Sequence, residues 1–405
     1  MRPPIRCLEI RSAEEARSEM ELVGADPVGI KLMAPKQLHQ NIKVEALTPA
    51  QANILKQDIL AVGGDAAVSK GTVSCRVGTT DAILSGTRKQ IKLLIKKLRL
   101  QPYDLPALAK QLGDVLANTE RGKLTLKGRS GSWTLGERTL VMGILNVTPD
   151  SFSDGGLYLE EEKAVRRARE MAGEGADFID VGGESTRPGA APVDEAEEVK
   201  RVIPVVRALA KEGMAVSVDT TRAAVAREAL EEGAEMINDV SALEGDPEMA
   251  GVVAESGAAV VLMHMRGTPR NMQENVGYRD MMGEIFNYLR ERLDYAESSG
   301  IGAESTVIDP GIGFGKSAAG NMEIIKRLGE LKALGRPILL GSSRKSFIGK
   351  TLGTANGRNL AGTLATVTAA VLNGAHIVRV HDVGEAREAA AMATALRSAP
   401  RKPDA

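Results

Sequence analysis

Aromatic residues are scarce: they make up 3% of the 405 residues, with a single tryptophan. That leaves too few ring faces for a platform on which single-stranded nucleic acid could stack. Charge offers no other route, because a formal net charge of −1 gives no overall attraction to nucleic acid or to an anionic membrane. Cysteine is nearly absent. Cys7 and Cys75 have no metal-ligand spacing, and a chain of this length needs no disulfide staple, so both are expected as reduced thiols. No apolar run approaches the length of a membrane span, and residues 1–20 carry charges throughout and lack the apolar centre of a signal peptide. The expectation is a cytoplasmic protein with neither nucleic-acid nor membrane partners.

What is present is ordinary for a globular protein: 43% hydrophobic and 26% charged residues. The length suits one large domain with a smaller one. The first 120 residues carry a small positive excess, 17 Lys+Arg against 13 Asp+Glu. Alternation predicts strands at 6–11, 29–33, 42–47 and 73–77. Helical periodicity predicts helices at 13–23, 48–62, 88–99 and 105–117. Thr48-Pro49 supplies an N-cap and a first-turn proline, and Gly63-Gly64 a stop. The 88–99 segment is basic and amphipathic, with Ile91, Leu94, Ile95 and Leu98 on one face. A nucleic-acid or membrane role is weighed for it against a module helix with its stripe in the core, and the small charge excess favours the latter. These elements describe a small α+β module over residues 1–120.

From residue 122 the pattern changes. A hairpin at 123–135, turning at Gly131, is followed by short apolar runs at 140–145, 178–181, 215–218, 236–237, 259–263, 307–308, 338–340 and 377–380, separated by amphipathic stretches. Eight strand-then-helix units argue for a (β/α)8 TIM barrel over residues 122–398. An open doubly wound sheet is the alternative, weakened by the lack of a Gly-rich dinucleotide fingerprint after the first strand. Each predicted strand ends in polar residues: Asn146, Asp180, Asp219, Asn238 with Asp239, His264, Asp309, residues 342–345, and Arg379 with His381. One such residue could be a cap, but polar groups at all eight ends describe a pocket at the barrel mouth. Two Gly/Pro-rich charged loops, 148–156 and 182–189, stand where lids would. In a third, 309–316, glycines permit close backbone approach to a ligand.

At these residues the sequence resembles the dihydropteroate synthase family. The match runs through Met142-Gly143-Ile144-Leu145-Asn146-Val147-Thr148-Pro149-Asp150-Ser151-Phe152-Ser153-Asp154-Gly155-Gly156 and Asp180-Val181-Gly182-Gly183-Glu184-Ser185-Thr186-Arg187-Pro188-Gly189. It continues through Val218-Asp219-Thr220, Ile237-Asn238-Asp239-Val240, Leu262-Met263-His264-Met265, the 309–316 loop, Ser343-Arg344-Lys345-Ser346 and Arg379-Val380-His381-Asp382-Val383. It covers about residues 124–397 and assigns nothing to the N-terminal module.

The resemblance implies condensation of 6-hydroxymethyl-7,8-dihydropterin diphosphate with para-aminobenzoate, by loss of diphosphate from the pterin methylene before the amine attacks. It implies a pterin pocket of Asp219, Asn238, Met263, Asp309 and Lys345, where carboxylates accept from ring N–H groups and Asn and Lys donate. It puts the diphosphate at Asn146, Thr186, Arg379 and His381, and para-aminobenzoate at Thr186, Arg187, Pro188, Phe314, Lys345 and Ser346. Asp219, Asp154, Lys345, Arg379 and His381 are the implied catalytic set. Mg2+ is the implied cofactor with Asn146 as its ligand, and a homodimer through late helices such as 360–372 the implied assembly. Two other readings are a pterin-dependent methyltransferase, which needs no diphosphate site, and a non-catalytic pterin or folate binder, which predicts damage at Asp219, Arg187 or Arg379 that is not seen. For the N-terminal module, oligomerisation and ligand-binding regulation stay open.

Overall fold

In the computed structural model, which describes residues 3–147, 157–184, 193–268, 271–272, 274, 276–354 and 359–399, the chain divides into two compact units. One runs to Ala117 and the other from Asn118 to Ser398.

The first unit holds α1 (Ala13–Leu22), α2 (Pro27–Gln37), β1 (His39–Leu47), α3 (Pro49–Ala61), β2 (Asp65–Val68), β3 (Thr80–Thr87), α4 (Arg88–Leu98) and α5 (Leu105–Glu120). β3 lies between β1 and β2 and is antiparallel to both. α3 and α4 each begin with a capping box, Thr48 with Gln51 and Thr87 with Gln90. The apolar stripe of α4 is fully used. Ile91, Leu94, Ile95 and Leu98 join Leu55, Ile59, Leu84 and Leu112 in one core, while Lys92 and Lys96 face water. The basic helix is thus an internal packing element. Three expected strands are corrected. Residues 29–33 lie inside α2, because the Asp26 carboxylate accepts from the N–H groups of Val28 and Gly29 and Pro27 presets the first turn. Residues 6–11 have no regular structure and pair with no strand of the three-stranded sheet. Residues 73–75 fall in tight turns, with Cys75 at φ 53°.

The second unit opens with a hairpin, β4 (Leu124–Lys127) and β5 (Ser132–Leu135). Eight parallel strands follow: β6 (Leu140–Asn146), β7 (Phe178–Gly182), β8 (Val216–Asp219), β9 (Met236–Asp239), β10 (Ala259–Met263), β11 (Thr306–Asp309), β12 (Leu339–Leu340) and β13 (Ile377–Val380). Their order is β11-β10-β9-β8-β7-β6-β13-β12. A parallel bridge from Ile308 to Ile338 joins the two ends, so the sheet closes into a barrel. Around it run α6 (Leu157–Glu174), α7 (Glu195–Lys211), α8 (Ala223–Glu231), α9 (Met249–Ser256), α10 (Met281–Ser298), α11 (Ala318–Arg327), α12 (Ser346–Leu352), α13 (Leu360–Leu372) and α14 (Val383–Ser398). No described helix is long and apolar enough to cross a membrane.

The period-two alternation of the strands decides what each end of the barrel contains. Val141, Ile179, Val181, Val216, Val218, Ile237, Val260, Leu262, Ile308, Val378 and Val380 face outward and pack under the helices. Met142, Phe178, Met236, Val261, Val307, Leu339 and Ile377 face inward and fill the lower barrel together with Leu126 and Leu135 of the hairpin, which plugs the base. Two residues beyond Phe178, Met236, Val307 and Ile377, the same inward parity brings Asp180, Asn238, Asp309 and Arg379 to the upper, C-terminal layer. Apolar below and polar above follows directly from where the charged residues stand in each strand.

Candidate active site

At the centre of the upper layer, Arg379 on β13 holds two carboxylates at once. Its Nε donates to Asp180 Oδ2 at 2.6 Å and its terminal nitrogen to Asp219 Oδ2 at 2.7 Å. Asn238 Nδ2 also donates to Asp180 Oδ2, at 3.2 Å. Asp180 is wholly buried, and its other oxygen accepts no hydrogen bond among the described residues. Gly182 stands opposite Asp219 in the β7–β8 register. A Cβ there would lie 3.5 Å from Asp219 Cβ and 3.7 Å from Asn146 Oδ1, so glycine keeps the space between these two groups open. Two carboxylates sharing one guanidinium cannot both ionise as easily as one. Burial pushes the Asp219 carboxyl up to about 7; Arg379 opposes this and Asp180 adds to it.

Beside this cluster lies a second, built on β11 and the glycine loop after it. The Asp309 carboxylate is buried and accepts from Gly311 N–H at 2.7 Å. Burial raises its proton affinity, against the pull of that N–H and of Lys345. The Lys345 ammonium sits 4.1 Å from the centroid of the Phe314 ring. Its stem passes Gly313, where φ is +84° and a Cβ would come within 3.1 Å of Lys345 Cδ. Glycine is therefore required there on both counts. Met263 is buried with Val240, Met272 and Phe314 in a small apolar patch, giving a flat molecule an apolar wall next to Asp309 and Asn238.

Lys316, buried under the same loop, donates to Phe314 O at 2.8 Å and His264 O at 3.2 Å and lies 3.0 Å from His264 Nδ1. Burial lowers Lys316 to about 7 and His264 to about 2. His264 is therefore a neutral acceptor that seats the lysine, and it has no part in proton transfer. Asp239 is structural too: it accepts from Ser241 N, Ser241 Oγ and Leu243 N and shapes the turn after β9.

At the third edge, Ser343 orients His381. Its hydroxyl oxygen accepts from the His381 backbone N–H at 3.2 Å and lies 2.9 Å from Nδ1. The hydroxyl hydrogen then goes to Nδ1, which fixes the ring proton on Nε2. Arg344 has φ 57° and grips Asp382 with two nitrogens, at 3.1 and 2.5 Å. That clamp ties the 342–345 turn to the end of β13. Lys345 caps α12 and Ser346 is its first residue. Among the implied site residues, Asp154, Thr186, Arg187 and Pro188 lie outside the described residues. Asp180 and Ser343 stand in the sequence only as part of a strand end or a matching stretch, yet they organise Arg379 and His381. The inward parity of Asp180, two positions after Phe178, was the available signal. No group of three or more His, Cys, Asp or Glu side chains arranged for a metal occurs among the described residues.

One loss follows from the His381 geometry alone. Ser343→Ala removes the acceptor and the donor that hold the ring, without touching the pocket centre. The expected result is a fall in turnover of up to about tenfold with little change in melting temperature, the loss of one hydrogen bond being worth about 1 kcal/mol.

The chain matches the family model of pterin-binding enzymes over residues 142–381. It is 47% identical over 263 residues to the dihydropteroate synthase of Synechocystis, covering 64% of this chain and 91% of that one. It is 42% identical over 390 residues to a probable bifunctional folylpolyglutamate synthase/dihydropteroate synthase of Halobacterium salinarum, covering 96% of this chain and 47% of that protein. The chain thus spans about half the length of that relative, and the likeness extends into the N-terminal unit. The structure of Xanthomonas albilineans dihydropteroate synthase with 4-aminobenzoic acid superposes with a TM-score of 0.64 at 43% identity, covering 69% of this chain and all of that one. The upper-layer cluster sits within the matched segment, and the chain belongs to the dihydropteroate synthase family of pterin-binding enzymes.

Proposed function

We propose that the chain condenses 6-hydroxymethyl-7,8-dihydropterin diphosphate with para-aminobenzoate to give 7,8-dihydropteroate and diphosphate. Of the two activities in the Halobacterium relative's name, this is the one the barrel supports. The observation that carries the reading is the upper-layer cluster of Asp180, Asp219 and Arg379, flanked by Asn238, Asp309 and Lys345. A pterin edge presents N–H donors beside carbonyl and ring-nitrogen acceptors. Ionised Asp219 and Asp309 suit the donors, while Asn238 and Lys345 suit the acceptors. Met263 supplies the wall for the ring face.

The methylene carbon–oxygen bond breaks with its electron pair leaving on the diphosphate oxygen. The resulting cation is delocalised into the pterin, and Asp219 stabilises it. Arg379 and the Nε2–H of His381 stabilise the departing anion. The amine lone pair of para-aminobenzoate then forms the new C–N bond, and the nitrogen loses a proton. Phe314 and Lys345 would receive the aminobenzoate with Ser346, and the loops bearing Asp154, Thr186, Arg187 and Pro188 would complete the pocket. Asn146 offers a single neutral oxygen close to Asp219, with no thiolate competing. That donor suits Mg2+, which takes few protein ligands beside substrate phosphates and water. When bound, Mg2+ would neutralise charge on the diphosphate. The cytoplasmic setting and a homodimer through α13 belong to the same reading; sedimentation at low micromolar concentration that gives a monomer would remove the dimer.

The full chain, given both substrates and Mg2+, should form dihydropteroate detectable by mass. No product, with pterin binding unchanged by Asp219→Asn, would overturn the reading in favour of a binder or another pterin chemistry.

The Asp219 carboxyl also sets a pH dependence. Only its ionised form accepts two ring N–H groups, so pterin affinity should rise between about pH 6 and 8 as the group with a pKa of about 7 loses its proton. Calorimetric titration checks this; a flat profile would mean that Asp219 is ionised throughout the range.

A further inference from the structure

The opposite, N-terminal end of the barrel holds a cavity of about 220 Å³ beside the starts of β6, β12 and β13. Its lining includes Arg121, Arg138, Lys332, Arg336, His376 and Arg397 and not one acidic side chain. Two of these cations are already matched. Arg138 pairs with Asp177, and Arg336 pairs with Glu297 and donates to Thr306. Lys332, Arg397 and Arg121 have no acidic partner among the described residues; Arg397 donates only to the Val371 carbonyl, at 3.0 Å.

Lys332 is largely withdrawn from water in a place made for it. Gly374, at φ +102°, lies so close that a Cβ there would come 2.7 Å from the ammonium nitrogen. His376 Nδ1 accepts from Ile338 N–H at 3.0 Å, which leaves its Nε2 as a donor. Burial first, and then the neighbouring cations, lower the proton affinity of both Lys332 and His376. Crowded cations without a counter-charge are costly. An anion removes that cost and gains charge-assisted hydrogen bonds from a planar guanidinium and an ammonium.

We propose that this cavity is a second ligand site, specific for a small phosphate-class anion and centred on Lys332 and Arg397. Its volume equals roughly seven waters and is below the roughly 300–1,000 Å³ of pockets for drug-sized ligands. Orthophosphate or diphosphate is therefore the fitting size. The site stands at the opposite end of the barrel from Asp219 and does not depend on the reaction assigned there.

The full chain is titrated calorimetrically with orthophosphate and, separately, with diphosphate, alongside Lys332→Gln and Arg397→Gln. The expected result is one binding event weakened at least tenfold in each variant. The unliganded melting temperature should be equal to or above the parent's, because a crowded cation has gone. Tighter binding of diphosphate than of orthophosphate identifies the product of the proposed reaction as the source; equal or weaker binding identifies free phosphate. Crystals of the parent soaked in tungstate give an independent reading, with anomalous density expected against Lys332. Isotherms unchanged in both variants would overturn the proposal, as would tungstate found only at the opposite end of the barrel.

Discussion

Asp219→Asn should reduce kcat/KM for dihydropteroate formation by about 10²–10³-fold, the range for losing one preorganised electrostatic group. The substitution is nearly isosteric, so the pocket keeps its shape. It removes the charge facing the methylene cation and replaces one acceptor oxygen with a donor that meets the ring N–H groups head-on. Both pterin binding and turnover should fall, and the rise of pterin affinity between pH 6 and 8 should vanish. The fold should respond in the other direction. In the folded chain the carboxyl titrates at about 7, against about 3.9 when unfolded. A raised acid pKa contributes stability that is present below about pH 4 and is lost as the pH rises towards 7. At neutral pH the variant should therefore melt no lower than the parent, while turnover collapses. A variant with parental kcat/KM would exclude Asp219 from the chemistry.

The second large effect is on the fold. Arg379→Met leaves Asp180, wholly buried, and Asp219, about one-tenth exposed, without their shared cation. Breaking a buried pair by removing one partner costs about 3–5 kcal/mol, a large share of the stability of an ordinary domain. Urea unfolding should show this loss, and activity should be undetectable. Adding Asp180→Asn to Arg379→Met should restore part of the stability without restoring activity, because the two sites share one network and their effects do not add. Arg379→Lys should recover less than charge alone suggests: an ammonium cannot reproduce the fork that reaches Asp180 and Asp219 together. Equal stabilities for parent and Arg379→Met would mean that the two carboxylates are protonated or solvated, and that Arg379 does not hold the cluster together.

The eight barrel strands were legible because each carries an uninterrupted β-branched or apolar run, such as Ala259–Met263, in a chain punctuated by helical periodicity. The strand ends were legible for the same reason, since a charge closing such a run stands out. The N-terminal unit was harder. Residues 29–33 read as a strand by hydrophobicity, but a cap three residues upstream made them helix. Residues 6–11 alternate correctly yet meet no partner edge, and a strand is stable only through pairing.

By itself the sequence determined the element order of the barrel, the parity that turns Asp180, Asn238, Asp309 and Arg379 inward, and the family, because periodicity and motifs are local properties. Only the tertiary structure decided that Arg379 bridges Asp180 and Asp219 across 199 and 160 positions, that His264 seats a buried lysine, and that unmatched cations meet at the barrel's base. Those outcomes depend on distance and burial, and burial sets the strength of every charge. A linear chain specifies neither until the sheet has closed.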